Sequence, residues 1–356
     1  MAKKENTHLE QVRINPHRRV TMTDIAKLAG CSQSTVSIVL NKTVGITIAK
    51  DTQERVFKAA KDLGYVRQKS VSPKNNSARQ ISIIFDYLAT SPEAVEAIDG
   101  AREAAWPSAH VVCAFQTLND EKMEALTLDA AISTGTDVII YASIMTREVT
   151  VPKILYDTDR SVVLLNCYSK DRRFPSVMPG EVAGGHLATR TLVAAGHQHI
   201  AHITGEMWME AAQNRLKGYR QALSSANIPY DDDLVRNGDW QMSSGYEQTQ
   251  ELLRLPNPPT AIFCSNDRMA FGAYEAIKEQ GLKIPEDISI IGYDDQEIAQ
   301  HLSPPLTTLV LPHREMGRWA VETALEYDGS GQRRSQFPLV KLECTIVERE
   351  SVRQFV

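Results

Sequence analysis

Several polar side chains stand directly behind short apolar runs, where a strand of a parallel sheet would end. They are Asp86 and Tyr87 after ISIIF, Asn166 after VVLL, Asn266 and Asp267 after AIFCS, and Tyr293, Asp294 and Asp295 after ISIIG. Arg215 in QNRLKGY and Trp240 in NGDWQ lie between them along the chain. Carboxylates accept paired hydrogen bonds from vicinal hydroxyls, arginine and asparagine supply fixed donors, and an aromatic face stacks on sugar C–H groups. The set suits a polyol or sugar better than an apolar metabolite.

Each of these residues also has a purely structural explanation. Asp295 is equally suited to capping the next helix, and Trp208 and Trp240 could be packing residues. Arg215 could belong to an ion pair within the core. The recurrence of polar residues at strand ends favours a ligand site. The sequence contains no Walker loop, GxSxG elbow, HExxH motif or GxGxxG after a strand, so binding is favoured over catalysis.

Strands that alternate with helices from Ile81 onward would position these residues. Strands are predicted at 81–86, 111–115, 137–141, 161–166, 199–205, 261–267, 288–295 and 306–311, and helices at 181–195, 210–226, 244–254 and 268–280. Such alternation is typical of βαβ units and parallel sheets, whose ligands lie beyond the carboxyl ends of the strands. The number of units predicts two doubly wound lobes rather than one domain.

The segment 20–41, VTMTDIAKLAGCSQSTVSIVLN, has the pattern of a helix-turn-helix. Thr23 can cap a first helix, Gly30 supplies the turn, and Ser32 can cap a second helix. A third helix follows and ends at Gly64. The residues expected to face the small core are Ile25, Ala26, Leu28, Ala29, Val36, Val39, Leu40, Val56, Ala59, Ala60 and Leu63.

The charge distribution favours a nucleic-acid partner for this front part. Residues 1–80 carry 15 lysines and arginines against 6 aspartates and glutamates, a net charge of +9. The remainder carries 24 against 38, a net charge of −14. A basic N-terminal part followed by an acidic remainder indicates that only the N-terminal part binds a polyanion such as a nucleic acid. The second helix would present Gln33, Ser34, Ser37 and Asn41 outward, toward base edges and phosphates.

The 356-residue chain has the composition of an ordinary soluble protein, with no apolar run long enough to span a bilayer. Residues 1–19 are basic and lack the apolar core of a signal peptide, so a disordered arm is predicted. The five cysteines are scattered and form no CxxC or Cys/His cluster. This pattern predicts reduced thiols in the cytoplasm, with neither a metal site nor a cofactor.

The front residues resemble the DNA-binding domain of the lactose-repressor (LacI/GalR) family, through T-x-x-D-I-A-x-x-A-G-x-S-x-S-T-V-S-x-V-L-N and E-R-V-x-x-A-x-x-L-G-Y. The resemblance implies that helix 32–41 lies in the major groove, with Gln33 and Ser34 reading bases. It also implies phosphate contacts from Thr35, Ser37 and Asn41. The residues predicted to contact DNA are Thr21, Ser32, Gln33, Ser34, Thr35, Ser37, Ile38 and Asn41.

Two departures from the family pattern fall within this domain. Ile38 stands where the family commonly has an arginine, so an apolar contact to a thymine methyl replaces a bidentate guanine contact. The loop 42–49 is longer than usual, and Ala49 takes the place of the usual serine cap. Thr47 is therefore expected to cap the third helix.

The third departure is the hinge at 67–80, which lacks the family's ARSL sequence. Lys74 falls at the leucine position, and Pro73 opposes a helix because it lacks a backbone donor. Family members wedge that leucine into the minor groove and kink the operator. We therefore expect this hinge to bend DNA less, or to use Val71 as a weaker wedge.

The remainder resembles the family's ligand-binding core, itself similar to periplasmic sugar-binding proteins, through NRLKGYRQAL, FCSNDRMAFGAYEAIKEQGLKIPEDISIIGYDD and SPPLTTLVLPHREMG. The residues predicted to bind the effector are Asp86, Tyr87, Arg215, Trp240, Asn266, Asp294 and His313. Asp86 and His313 match family positions more loosely, and His313 could equally be an exposed histidine at a helix start. The run MPGEV lacks the Asp or Asn common near 179–181, which puts that contact in question.

The fold class that follows is an N-terminal all-α helix-turn-helix domain joined to an α/β core of two doubly wound parallel-sheet lobes. The predicted domains are a disordered arm (1–19), the helix-turn-helix domain (20–66), the hinge (67–80) and the effector-binding core (81–356). The family's order of crossings implies a lobe nearer DNA, 81–168 and 312–334, and a distal lobe, 169–311 and 335–356.

These features predict a ligand-responsive repressor that binds a palindromic operator as a homodimer and is released by a sugar or polyol. The same regulator could instead use a corepressor such as a purine. A periplasmic-type sugar-binding protein or an enzyme on this fold is a weaker alternative. The helix Glu315–Leu325 is a candidate dimer interface, although its apolar stripe is also typical of a core. No leucine heptads follow, so a dimer rather than a tetramer is expected.

Overall fold

The computed structural model describes residues 22–41, 48–63, 79–88, 92–326 and 336–354. They fall into two compact units, one within residues 1–77 and one within residues 78–356. The predicted features outside the described residues are the arm 1–19, Thr21, most of the loop 42–49 including Thr47, Gly64 and hinge residues 67–78 with Val71, Pro73 and Lys74.

The first unit is built from three helices, α1 (Met22–Ala29), α2 (Gln33–Asn41) and α3 (Lys50–Asp62). Their shared core consists of Ile25, Ala26, Ala29, Val36, Val39, Val56 and Ala59, with Leu40, Ala60 and Leu63 partly buried against it. Arg55 of α3 donates to the carbonyl of Ala29 at 3.0 Å, which satisfies an otherwise open carbonyl at the end of α1. Ala49 precedes α3 and makes no side-chain cap.

Two predictions for α1 are wrong. The helix begins at Met22, so Thr23 lies inside its first turn rather than at its cap. Leu28 is 54% exposed. At 3.6 residues per turn it lies about 100° around the helix from the centre of the buried face.

The second unit contains two parallel sheets, which confirms the predicted α/β class. The strands are β1 (Arg79–Phe85), β2 (His110–Gln116), β3 (Val138–Glu148), β4 (Ser161–Tyr168), β5 (Ser176–Pro179), β6 (Ile200–Thr204), β7 (Val235–Asn237), β8 (Ala261–Cys264), β9 (Ser289–Ile291), β10 (Thr308–Leu309), β11 (Leu339–Leu342) and β12 (Ile346–Val347). The first sheet has the order β11-β5-β4-β3-β1-β2, and the second has the order β7-β6-β8-β9. Strands β10 and β12 form a short antiparallel pair.

Helices cover both faces of each sheet. They are α4 (Pro92–Ala105), α5 (Glu121–Ser133), α6 (Lys153–Asp157), α7 (Glu181–Ala194), α8 (Glu210–Ser225), α9 (Met242–Leu253), α10 (Asp267–Glu279), α11 (Glu297–His301) and α12 (His313–Glu326). The core formed with α4 and α12 lies on one face of the first sheet, and the core formed with α5 and α6 lies on the other. Helices α7 and α8 cover one face of the second sheet, and α9 and α10 cover the other. No helix among the described residues is long and apolar enough to cross a membrane.

The lobe boundaries differ from the predicted ones. Strand β5 pairs in parallel with β4, and β11 pairs with β5, so both belong to the first lobe rather than the distal one. The chain therefore leaves the first lobe after Pro179, returns before His313 and leaves it again after Leu342. Short strands such as these are specified by pairing with distant segments more than by local pattern. Arg79 and Gln80 belong to β1 rather than to the hinge, because they pair with β2.

His202 lies in the middle of β6 and is fully buried, with its ring stacked on that of Phe263 at 4.3 Å between centroids. Its Nδ1 lies 3.0 Å from the carbonyl oxygen of Phe263. Burial lowers the pKa of this histidine to about 3, the bond to Phe263 opposes that shift, and the charge of Arg215 adds to it. The ring is thus neutral at physiological pH.

We expect acid to destabilise the second unit through His202. Because the folded pKa lies below the ordinary 6.5, the neutral ring contributes stability above that pH, and the contribution is lost as the pH falls toward 3. When the pH is lowered from about 7 to 4.5, the free energy of unfolding should fall by about 2–3 kcal/mol less in His202→Phe than in the wild type, as measured by urea titration. His301→Phe, at an exposed position, should keep the wild-type slope. If the free energy of unfolding of His202→Phe depended on pH as in the wild type, His202 would not be the group that makes the second unit sensitive to acid.

Candidate functional site

The amino end of α2 combines a hydrogen-bonded cap with an exposed polar side chain. The Thr35 backbone N–H donates to Ser32 Oγ at 3.1 Å, and the hydroxyls of Ser32 and Thr35 lie 2.9 Å apart. Ser32 therefore caps α2 as predicted. Gln33, the first residue of the helix, is exposed. An exposed helix start with polar side chains is the geometry that helix-turn-helix proteins present to the major groove.

The other predicted DNA-binding residues are only partly located. Ser34, Ser37, Ile38 and Asn41 belong to α2, but their side chains are outside the described set. Thr35 is half-buried, and its hydroxyl lies beside that of Ser32. Thr21 lies outside the described residues altogether.

A cleft of about 230 Å³ opens between the two lobes of the second unit, beyond the carboxyl ends of the strands. Its polar lining residues are Glu93, Thr146, Asn166, Glu181, Arg215, Trp240, Gln241, Asn266, Arg268, Asp294, Gln296 and His313. Five of the seven predicted effector-binding residues are among them, namely Arg215, Trp240, Asn266, Asp294 and His313. The cleft is smaller than the roughly 300–1,000 Å³ of drug-sized ligand sites, so it suits one sugar ring or one base.

Arg215 is almost fully buried and held in a fixed orientation. Its Nε and Nη2 donate to the two carboxylate oxygens of Glu181 at 2.7 and 3.0 Å. Its Nη1 donates to the carbonyl of Ser265, and its guanidinium carbon lies 3.7 Å from the ring centroid of Tyr293. Glu181 begins α7 and Arg215 lies on α8, so the pair joins the two helices. The ion pair considered from the sequence is therefore present at the cleft.

Asp294 follows β9 with a φ of 105°, a conformation that side chains rarely adopt. Its Oδ1 lies 3.6 Å from Arg215 Nη1 and makes no hydrogen bond within the described residues. Burial raises the pKa of Asp294 well above its ordinary value, the charge of Arg215 opposes the shift, and the charge of Glu93 adds to it. A buried carboxyl oxygen without a donor gains most from a ligand that supplies one.

Asn266 and Trp240 support each other at the cleft, where the Trp240 ring centroid lies 5.5 Å from the guanidinium carbon of Arg215. Asn266 Oδ1 accepts from the Met269 backbone N–H at 2.8 Å and so caps α10. Its Nδ2 donates to the carbonyl of Trp240 at 3.1 Å. Trp240 has a φ of 67°, and its Nε1 lies 2.9 Å from the sulfur of Met209. The indole is thereby held at the cleft wall, and the positioning role of Asn266 uses both ends of its amide.

His313 begins α12, where the chain returns to the first lobe, and is buried rather than exposed. Burial lowers its pKa, whereas the charges of Glu93 and Glu181 raise it. Its position at the cleft agrees with the ligand-side alternative for this residue rather than with an exposed histidine.

The structure does not bring Asp86 and Tyr87 into the cleft. The Asp86 carboxylate accepts from Ser143 Oγ at 2.7 Å, from the Ile144 backbone N–H at 2.9 Å and from Arg147 at 3.0 Å. These donors hold the end of β3 against the end of β1 and occupy the oxygens that the sequence suggested for a ligand. Tyr87 is 38% exposed and is not among the residues that line the cleft.

Sequence analysis missed Glu93, Gln296 and Arg268 at the cleft. Glu93 lies in the first turn of α4, a helix that the pattern did not reveal. Glu181 stands in MPGEV, the run that lacks the usual Asp or Asn. The signal in the sequence is the carboxylate itself, since Glu181 places an acidic side chain where the family commonly has Asp or Asn.

The chain matches two family models, that of the bacterial regulatory proteins of the lacI family over residues 21–68 and that of the periplasmic binding protein-like domain over residues 189–352. It is 32% identical over 337 residues to the HTH-type transcriptional repressor PurR of Aliivibrio salmonicida, across 94% of this chain and 99% of that protein. The chain belongs to the LacI family. The Ribose operon repressor of Haemophilus influenzae is also 32% identical, across 93% of this chain and 98% of that protein.

Solved structures of transcriptional regulators share both parts of the fold. The transcriptional regulator CelR in complex with cellobiose is 27% identical, with a TM-score of 0.64 across 94% of this chain and all of that one. The lac repressor dimer bound to operator and an anti-inducer is 26% identical, with the same TM-score and coverage. This LacI-family chain is accordingly a DNA-binding transcriptional repressor. LacI-family repressors bind operator DNA as dimers and respond to small-molecule effectors.

Proposed function

We propose that this LacI-family repressor is controlled by a sugar or polyol that binds the cleft between the two lobes. The observation that carries the proposal is the juxtaposition of Arg215, held by Glu181, with an Asp294 oxygen that makes no hydrogen bond within the described residues. Vicinal hydroxyls donate to the carboxyl group and accept from the guanidinium at once. The Trp240 ring adds an aromatic face for sugar C–H groups.

A purine corepressor is the second candidate, and the similarity to several repressors named PurR favours it. A flat base needs aromatic faces, and the aromatic rings among the described lining residues are those of Trp240 and His313. The polar lining and the similarity to the CelR–cellobiose complex favour the sugar. The two candidates predict opposite effects on operator affinity, since an inducer weakens it and a corepressor strengthens it.

We assign operator recognition to the first unit, with α2 in the major groove and Gln33 and Ser34 at base edges. A homodimer presents two copies of this small unit to a palindromic site. Ligand binding that changes the arrangement of the lobes changes the separation of the half-site readers, so ligand and operator reduce each other's affinity equally. We place the repressor in the cytoplasm, and we assign it no enzymatic role.

The proposal is tested by a thermal-shift panel of sugars, polyols and purine bases, followed by operator titrations with each compound that binds. A sugar that raises the melting temperature and weakens operator binding supports the proposal. A purine that strengthens operator binding replaces it with the second candidate.

Asp294→Asn should weaken binding of the identified ligand by about tenfold, because the amide puts a donor where a carboxyl oxygen accepts and leaves a ligand hydroxyl without its acceptor, at a cost of about 1–3 kcal/mol. Operator affinity without ligand should stay at the wild-type level, as measured by fluorescence anisotropy. Asp129→Asn, on an exposed position of α5, is the matched control. Loss of operator binding in a normally folded Asp294→Asn protein would contradict the assignment of roles.

Gln33→Ala should lower operator affinity by about 1–3 kcal/mol and relax discrimination at one base pair, because a bidentate base contact contributes that much. The side chain is exposed, so the melting temperature should not change. Gln221→Ala, at an exposed position of α8, is the control for loss of a glutamine elsewhere. Uniform weakening on all sequences would indicate a phosphate contact instead.

A further inference from the structure

Asp267, a polar residue shortly after strand β8, is fully buried and is not among the residues that line the cleft. Its Oδ1 accepts a hydrogen bond from Thr308 Oγ1 at 2.6 Å, and its Oδ2 accepts one from the Gln296 backbone N–H at 2.8 Å. Its own backbone N–H donates to the carbonyl of Tyr293 at 2.8 Å. Asp267 is therefore bonded to both ends of the segment 293–296.

The segment 293–296 has a backbone conformation that needs such support. Asp294 has a φ of 105° and Asp295 has a φ of 52°, so two consecutive residues other than glycine lie in the left-handed region. Such conformations persist only where the surrounding structure holds them. Within the segment, the Asp294 N–H donates to the carbonyl of Leu309 at 2.7 Å, and the Asp295 carboxylate pairs with Arg349 at 2.7 Å. Loss of the bonds at both ends would let the backbone relax toward ordinary φ values and reorient the Asp294 side chain.

The orientation of this segment matters because it supplies two side chains to the cleft. Asp294 and Gln296 both line it. The Gln296 side chain also donates to Glu93 of the first lobe at 2.9 Å, which is a contact between the two lobes. A binding group contributes fully only when its neighbours hold it within about 0.5 Å of the productive position. The bonds that fix the segment therefore affect both the ligand site and a contact between the lobes.

Hydrogen bonds hold the Asp267 carboxyl group in place. Burial raises its pKa to about 7, and the hydrogen bonds from Thr308 and from the Gln296 backbone oppose the shift. The approach is close, since a Cβ on Gly292 would lie 2.2 Å from Asp267 Oδ1. A threonine hydroxyl can accept a hydrogen bond as well as donate one. An amide of the same shape can therefore replace the carboxyl group and keep both contacts.

We infer that Asp267 is a positioning residue for effector binding, which fixes the segment 293–296 so that Asp294 and Gln296 are presented to the cleft. The inference rests on the proposed function for the identification of the cleft as the effector site. Asp267 acts through its hydrogen bonds to the two ends of the segment and makes no contact with the ligand. Through Gln296 it also sets the contact with Glu93 of the first lobe.

The test compares Asp267→Ala, which removes both acceptors, with Asp267→Asn, whose amide can accept from the Gln296 N–H and donate to Thr308 Oγ1. Isothermal titration calorimetry on the full-length protein uses ribose, cellobiose, adenine and guanine as probes. A compound that binds the wild type should bind Asp267→Ala at least about tenfold more weakly, as expected for about one hydrogen bond lost at the ligand. It should bind Asp267→Asn within about threefold of the wild type.

Hydrogen exchange resolved to single amides separates positioning from a general loss of stability. The Asp294 amide donates to the Leu309 carbonyl, which the variants leave in place. Its exchange should quicken by at least about tenfold in Asp267→Ala, because the segment itself becomes mobile. Tyr274→Phe is the matched control, since it removes another buried hydrogen bond of α10, to the carbonyl of Pro304. It should lower the urea midpoint and change neither the dissociation constant nor the exchange at Asp294.

Wild-type ligand affinity or wild-type exchange at Asp294 in a folded Asp267→Ala protein overturns the inference. An Asp267→Asn protein as impaired as Asp267→Ala also overturns it, because charge rather than hydrogen bonding would then hold the segment. If Asp267→Ala does not fold, Thr308→Val removes one of the two donors and should show the same changes at about threefold, and wild-type values there overturn the inference. If no probe binds the wild type, the proposed sugar control loses its support, and the exchange at Asp294 still decides the inference.

Discussion

Replacement of Arg215 by alanine is expected to lower the free energy of unfolding of the second unit by about 3–5 kcal/mol. The change leaves the Glu181 carboxylate almost fully buried without its partner and removes a donor from the Ser265 carbonyl. An uncompensated buried charge costs more than the pair itself contributes. The measurement is the urea midpoint and slope at neutral pH.

Two further variants make this result interpretable. Lys217→Ala, exposed on the same helix, should change stability by less than about 0.5 kcal/mol. The double variant Arg215→Met with Glu181→Met should be clearly more stable than Arg215→Ala, because it removes both charges and keeps the volume. A wild-type urea midpoint in Arg215→Ala would show that the pair does not stabilise the fold.

The dual role of Arg215 changes which variant best tests ligand recognition. Arg215→Ala should abolish the ligand response, but part of that loss comes from a weakened lobe. Asp294 accepts no hydrogen bond at Oδ1 within the described residues, so Asp294→Asn removes ligand contacts with less effect on stability. We therefore expect the two variants to differ in melting temperature while sharing the loss of response.

Gly218→Ala is expected to have the second largest effect, because it forces α7 and α8 apart. A Cβ at this position would lie 2.2 Å from the carbonyl oxygen of Val182 and 2.4 Å from the backbone nitrogen of His186. These are backbone atoms that cannot rotate away, so the helices must separate. Overpacking of this kind costs about 1–3 kcal/mol and sometimes more.

The same separation should weaken ligand binding in the cleft, because Glu181 lies on α7 and its partner Arg215 lies on α8. Ligand affinity should fall together with stability in Gly218→Ala, as measured by calorimetry and urea unfolding. Ser224→Ala, on the exposed side of α8, should change neither quantity. Wild-type ligand affinity in Gly218→Ala would show that the Glu181–Arg215 geometry does not depend on this helix contact.

The sequence alone determined the fold class and the kind of protein. The helix-turn-helix pattern located α1 and α2, and Ser32 caps the second of them, because helix periodicity and capping are local properties. Apolar runs located the longer strands, and the rule for parallel sheets placed Asn266 and Asp294 at their carboxyl ends. The short strands β5, β7, β11 and β12 escaped because pairing, not local pattern, defines them.

Only the tertiary structure decided which of these polar residues share one site. The carboxylate of Asp86 accepts a hydrogen bond from Ser143 on β3, which is 57 residues away along the chain. Glu181 accepts hydrogen bonds from Arg215, which is 34 residues away along the chain. Glu93 accepts one from Gln296, which is 203 residues away. The local sequence around an aspartate or glutamate does not reveal whether its carboxylate binds a ligand, an arginine or a backbone amide. Its role is set by the donors that the packing of distant segments brings within hydrogen-bond distance.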